Sequence, residues 1–211
     1  MTLRTLLAGN PDQATPTSGP VGVSRRVRVL VGAALVATAG LIVVGDLSAP
    51  ATRGQRAADL TAFYQSVAAD IQPCQLAVQE TFHAYHFAGP SASRKAIARS
   101  VAVQDLSTCS PAGASPMYSL STMPVPHNLT HLGLQSALND VNTWAWPNAA
   151  AAIQDAGTLV SYPHRASALA DLKTRNAAMV SYGKAAETVF AQAAKKLHTH
   201  LPSLGLTSPG T

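Results

Sequence analysis

The sequence predicts an all-α protein, with an N-terminal single transmembrane helix followed by an exported, disulfide-stapled antiparallel four-helix bundle. Three observations predict it. An uncharged apolar run extends from Val29 to Gly45, the apolar residues beyond it recur at steps of three and four, and two cysteines flank a turn signal. Strand-like alternation is absent beyond a few residues, which leaves helices as the repeating element.

The apolar run comes first. Extended by Val27 and Leu47, it is just long enough at about 1.5 Å per residue to cross a hydrocarbon core of about 30 Å. Arg25, Arg26 and Arg28 precede it and Asp46 follows it. Basic residues on the short N-terminal side hold that side in the cytoplasm and export the remainder. Ala49-Pro50-Ala51 offers the small residues of a cleavage site, but the proline beside the cut and the length of the apolar core favour an uncleaved signal anchor. The expected organisation is therefore a disordered cytoplasmic tail over residues 1–26 and a transmembrane helix over 27–47. An exported bundle follows over 52–201, with a flexible tail over 202–211. The expected location is a cell membrane, with the C-terminal domain extracytoplasmic.

The first bundle helix is expected from Arg53 to about Ala88. Leu60, Tyr64, Val67, Ile71, Cys74, Val78, Thr81 and Tyr85 form its seam, and Pro73 should kink it. Gly89-Pro90-Ser91 supplies stop chemistry. The second helix is expected from Ser91 or Ser93 to about Cys109, with Ile97, Val101, Val103 and Leu106 as its apolar set. Prolines 111, 116, 124 and 126 argue against regular helix over 110–128. The third helix is expected from about Leu129 to Ser161, kinked at Pro147. Its seam is Leu134, Leu138, Val141, Ala145, Ala152, Ala156 and Leu159. The fourth, from about Arg165 to Thr199, carries a seam from Leu169 through Leu172, Asn176, Met179, Gly183, Ala186, Phe190 and Ala193 to Leu197.

Cys74 and Cys109 lie at nearly equal distances from the Gly89-Pro90-Ser91 turn, so a helical hairpin brings them side by side. In an oxidising compartment such a pair is expected as a disulfide. Neither cysteine has further Cys or His at metal-ligand spacing, which argues against a structural zinc site.

Charge excludes one class of function. The chain has fifteen Lys and Arg against ten Asp and Glu. From Ser48 onward the balance is only eleven against eight, without a basic stripe interleaved with aromatics. No nucleic-acid partner is expected.

The histidines carry the chemical alternatives. His83 and His86, one turn apart on the first helix, and His164 at the start of the fourth are expected at the distal tip. A His pair on one helix face can hold a transition metal or supply a haem ligand. Glu80-x-x-His83 is one half of a di-iron motif, but Glu187 has Phe190 where the second half needs histidine. Nearer the expected membrane, Lys195, Lys196, His198 and His200 cluster at the end of the fourth helix, where basic groups meet anionic headgroups. Ser181-Tyr182-Gly183-Lys184 matches S-x-x-K, but the partner motifs of that hydrolase class are absent. Trp144 and Trp146 point to different helix faces, one to the core and one outward.

The functional expectation is a binding or scaffolding component of the bacterial cell envelope, not an enzyme. It needs no cofactor, and its partners are the lipid bilayer through residues 27–47 and an envelope protein. The alternative is an extracytoplasmic metal- or haem-binding bundle using His83, His86 and His164.

Overall fold

The computed structural model describes residues 50–110 and 115–207. The expected tail and transmembrane helix, 1–26 and 27–47, lie outside the described residues, as do 208–211. No helix among the described residues is long and apolar enough to cross a membrane. The described chain is a helical bundle, and no strand occurs in it.

Helix α1 runs from Arg53 to Phe87. Thr52 caps it: its Oγ1 accepts from the Gln55 N–H, and the Gln55 side chain accepts from the Thr52 N–H in return. The seam expected from Leu60 to Thr81 is buried at every position, and Tyr85 packs half-buried against the core. The helix assignment continues unbroken through Pro73.

Helix α2 spans Ala92–Leu106, capped by Ser91, whose Oγ accepts from the Arg94 N–H. Of its expected apolar set, Val101 and Leu106 are half-buried, Leu106 against the core, and Ile97 and Val103 face outward. Ala98, Ala102 and Asp105 are buried, while Ile97 is 66% and Val103 65% exposed. The reason is close approach. The Ala102 Cβ would lie 3.3 Å from a Cβ placed on Gly157, so small residues let α2 settle against the helix carrying that glycine. Branched side chains on this face would hold the two helices apart. Asp105 accepts a 2.9 Å hydrogen bond from the Thr81 hydroxyl of α1. Burial raises its carboxyl above the usual range, the bond from Thr81 lowers it, and the charge of Glu80 raises it again.

The proline-rich stretch is more regular than expected. Helix α3, Pro116–Thr122, starts with Pro116 in the first turn behind a Ser115 cap. A 3₁₀ segment, His127–Leu132, follows and ends at Gly133 with φ +78°. Then come α4 (Leu134–Thr143), a π-helical segment (Trp144–Ala150) and α5 (Ala151–Ser161) without an intervening loop. The seam expected for this stretch is buried throughout. At Pro147 the structure has a widened π turn where the sequence predicts a kink in an α-helix. Proline removes the donor that an α-helix would aim at the Thr143 carbonyl. Asn148 Nδ2 donates to that carbonyl instead, at 2.7 Å. Trp144 is fully buried and Trp146 half-buried.

Helix α6, Ala166–Leu197, keeps the expected seam from Leu172 to Leu197, with Asn176 half-buried. At its start Ala168 is buried and Leu169 faces outward. Residues 202–207, expected to begin a flexible tail, are packed. Leu204 and Leu206 are buried and belong to the main core.

Cys74 and Cys109 form the expected disulfide, with Cα atoms 5.1 Å apart. Both are completely buried. Replacing both cysteines by alanine should lower stability by about 3–4 kcal/mol, the entropic effect of opening a loop of this length. A shift of the urea midpoint followed by circular dichroism measures it; a loss below about 1 kcal/mol would show that the bridge is not a staple.

Candidate functional site

A cavity lies between α6, α1 and the segment that follows α6. Its volume is about 530 Å³. Glu187, Phe190, Ala191 and Ala194 recur at steps of three and four, so one face of α6 forms a wall. Lys195 continues that wall, and Tyr64 faces it from α1. The Tyr64 and Phe190 rings meet edge to face with centroids 5.2 Å apart, and Phe63 packs on Phe190 at 6.3 Å.

The remaining wall, Thr199 to Ser203, exists because the chain reverses at the end of α6. His198 takes φ +57° and ψ +39°. Its N–H donates to the Lys195 carbonyl, and the Thr199 N–H donates to that of Ala194. These two bonds form a Schellman turn, with histidine where glycine is usual.

The chain then runs back along α6 and is held at five points. Tyr64 Oη donates to the Pro202 carbonyl oxygen. Ser203 Oγ donates to Glu187 Oε1 at 2.8 Å, and the Leu206 N–H reaches the same oxygen at 3.3 Å. Gln75 Nε2 donates to the Gly205 carbonyl at 2.6 Å, and Trp144 Nε1 to that of Leu206 at 3.2 Å. The close approach requires Gly183, because a Cβ there would stand 2.6 Å from the Leu206 carbonyl oxygen.

This geometry separates the polar groups into two sets. Glu187, Ser203 and the Tyr64 hydroxyl are spent on holding the segment. The Lys195 and His200 side chains line the cavity with no hydrogen bond or ion pair to other described residues. Serine, histidine and glutamate therefore share one cavity without forming a nucleophile–base relay. The Ser203 hydroxyl donates straight to the carboxylate, and no hydrogen bond joins it to His200.

The expected site residues fare unevenly. Lys195 and His200 come together on the cavity, while Lys196 and His198 are exposed beside it. His83, His86 and His164 are exposed. His83 stacks against Phe87, and His86 against Tyr85. His86 also lines a smaller space of about 240 Å³ with Lys95, which neither His83 nor His164 reaches. Among the described residues no three His, Cys, Asp or Glu side chains gather into a metal-ligand set. His83, His86 and His164 form no such set. Tyr64 and Phe190 were legible only as seam residues, and the wall from 199 to 203 was missed. Leu201, Leu204 and Leu206 sit in a segment too short to show a helical or strand period. Compared with protein families, curated proteins and solved structures, the chain finds no match.

Burial, and secondarily the charge of Glu187, push the Tyr64 phenol up to about 12. The protonated phenol is the neutral form, so its folded-state pKa lies above its unfolded one. The stability it contributes is present below pH about 10 and is lost as the pH rises through about 12. Alkaline titration by tyrosinate absorbance should show one tyrosine ionising at about 12. Tyr64→Phe should abolish that step, and its persistence in the variant would refute the assignment.

Proposed function

We propose that this protein is an envelope binding module that holds a small apolar or amphipathic molecule in the cavity between α6 and its returning C-terminal segment. On this reading residues 27–47 anchor an extracytoplasmic four-helix bundle to the membrane, the bent α4–α5 rod counting as one helix. The observation that carries the binding role is the cavity itself. Its volume falls in the range of about 300–1,000 Å³ used by small-molecule sites. Its walls combine two aromatic rings with alanines and a few polar groups, the lining such sites use. A buried disulfide supports an oxidising compartment, and the charged flanks of the apolar run support the orientation.

Two measurements test the reading. Protease added outside intact cells should digest the bundle domain, because it stands outside the membrane; a domain protected until the cells are lysed would refute the orientation. For the cavity, the full chain in phosphatidylcholine nanodiscs is irradiated with a diazirine-bearing dodecanol, a neutral probe. Adducts at one per chain should map to the peptides carrying Tyr64 and residues 187–203. Ala191→Trp, which projects a ring into the cavity from an exposed backbone position, should cut that labelling at least about fivefold, about 1 kcal/mol of binding. Labelling confined to residues outside the cavity would overturn the binding role.

A further inference from the structure

Resting on that binding role, we infer that the cavity takes a single-chain amphiphile with an anionic head, a medium-length alkyl carboxylate, and that Lys195 and His200 receive the head. The polarity follows from what is already committed. The Glu187 carboxylate accepts from both Ser203 Oγ and the Leu206 N–H. The Pro202 carbonyl accepts from Tyr64, and the Ala194 and Lys195 carbonyls accept from the turn at His198 and Thr199. Glu187 Oε1 and these carbonyls are thereby committed to the fold. Among the described residues, the side chains of Lys195 and His200 are the charged or titratable lining groups left without a partner. Both are exposed, so they stand at the mouth, where a head remains hydrated. Lys196 lies exposed beside them and adds to the positive potential on approach.

The apolar part sets the length. Phe190 and Ala194 are buried and the Tyr64 ring stands across from them, so the interior offers carbon surface. At about 30 Å³ for each close-packed heavy atom, the share of a water in the liquid, the cavity holds about 18 non-hydrogen atoms. That is room for one medium-length acyl chain with its carboxylate, about 14 atoms for a twelve-carbon chain. A diacyl phospholipid carries more than twice as many, so the occupant is a free single-chain amphiphile and not a bilayer lipid.

The test keeps the full chain in phosphatidylcholine nanodiscs and compares three diazirine probes of equal chain length: dodecanoate, dodecanol and dodecyltrimethylammonium. Dodecanoate should label the peptides around residues 187–203 at least about tenfold more strongly than either of the others, a gap worth about 1.4 kcal/mol. Unlabelled dodecanoate should compete it away. The double substitution of Lys195→Gln and His200→Gln, at exposed positions, should remove the preference of dodecanoate over dodecanol. Equal labelling by dodecanoate and dodecanol overturns the anionic head while leaving the cavity's binding role standing. Stronger labelling by the ammonium probe assigns the head to Glu187 and overturns the inference. Competition by phosphatidylglycerol added to the disc assigns the site to bilayer lipid and overturns the single-chain occupant. Absence of cavity labelling by all three probes removes the binding role itself.

Discussion

Gly183 faces the Leu206 backbone with no side chain between them, and much of the architecture follows from that contact. A methyl group at position 183 would stand 2.6 Å from the Leu206 carbonyl oxygen and 2.8 Å from the Leu206 Cβ. Neither is a flexible side-chain end that could swing aside. With any other residue there, the returning segment would have to lift from α6. Lifting it would strip the Leu206 carbonyl from Trp144 Nε1, which lies on a completely buried side chain. An unpaired buried donor costs about 1–3 kcal/mol. The Ser203 and Leu206 donors to Glu187 would be lost with it. One missing side chain thus fixes the segment, and the segment forms one wall of the cavity.

Helix α1 is the element on which both long-range ties converge. Through Cys74 it is bonded to the loop after α2, and Thr81, two turns further along α1, meets Asp105. Through Tyr64 and Gln75 it holds the segment after α6. The two ties restrain different parts of the chain. The disulfide acts on the hairpin by closing a loop in the unfolded state, whereas the C-terminal segment is held by hydrogen bonds that exist only in the folded state. Opening of the segment is then a local event that leaves the disulfide and the main seams intact. A cavity whose wall can open locally has a route for exchange that a cavity sealed within the helices would lack.

Legibility in the sequence follows the physics of each element. The seams of α1, the α4–α5 rod and most of α6 could be read because large apolar residues repeated at helical spacing face one core. In α2 the same rule selected Ile97 and Val103, which face outward, because the buried face uses alanines and their contribution is close approach. The pairing of Cys74 with Cys109 was legible from symmetry about a turn. Pro147 was legible as a disturbance, but its form was not, since that depended on Asn148 replacing the lost donor. Leu204 and Leu206 were invisible to periodicity because their segment is too short to show a period and packs in irregular conformation. Charge drew attention to Lys195 and His200 at the end of α6. The cavity they line arises from the chain reversal at His198, a residue that sequence preference would not place in a left-handed conformation.

The histidines show why spacing alone is a poor guide to a site. His83 and His86 satisfy the one-turn spacing that a metal pair needs, yet each ring rests against an aromatic neighbour. A third ligand would have to come from another helix, and His164 does not supply it. At the other cluster the spacing carries no motif at all, since His198 is spent on the turn and His200 follows it two residues later. What unites Lys195 with His200 is the turn itself, which aims the chain back over the last helical residues. Glu187 then acts on both sides of the question. Its charge disfavours ionisation of Tyr64, and its oxygens anchor the segment that brings His200 to the cavity. Glu187 Oε1 is thus taken up by folding, while the Lys195 and His200 side chains have no partner among the described residues.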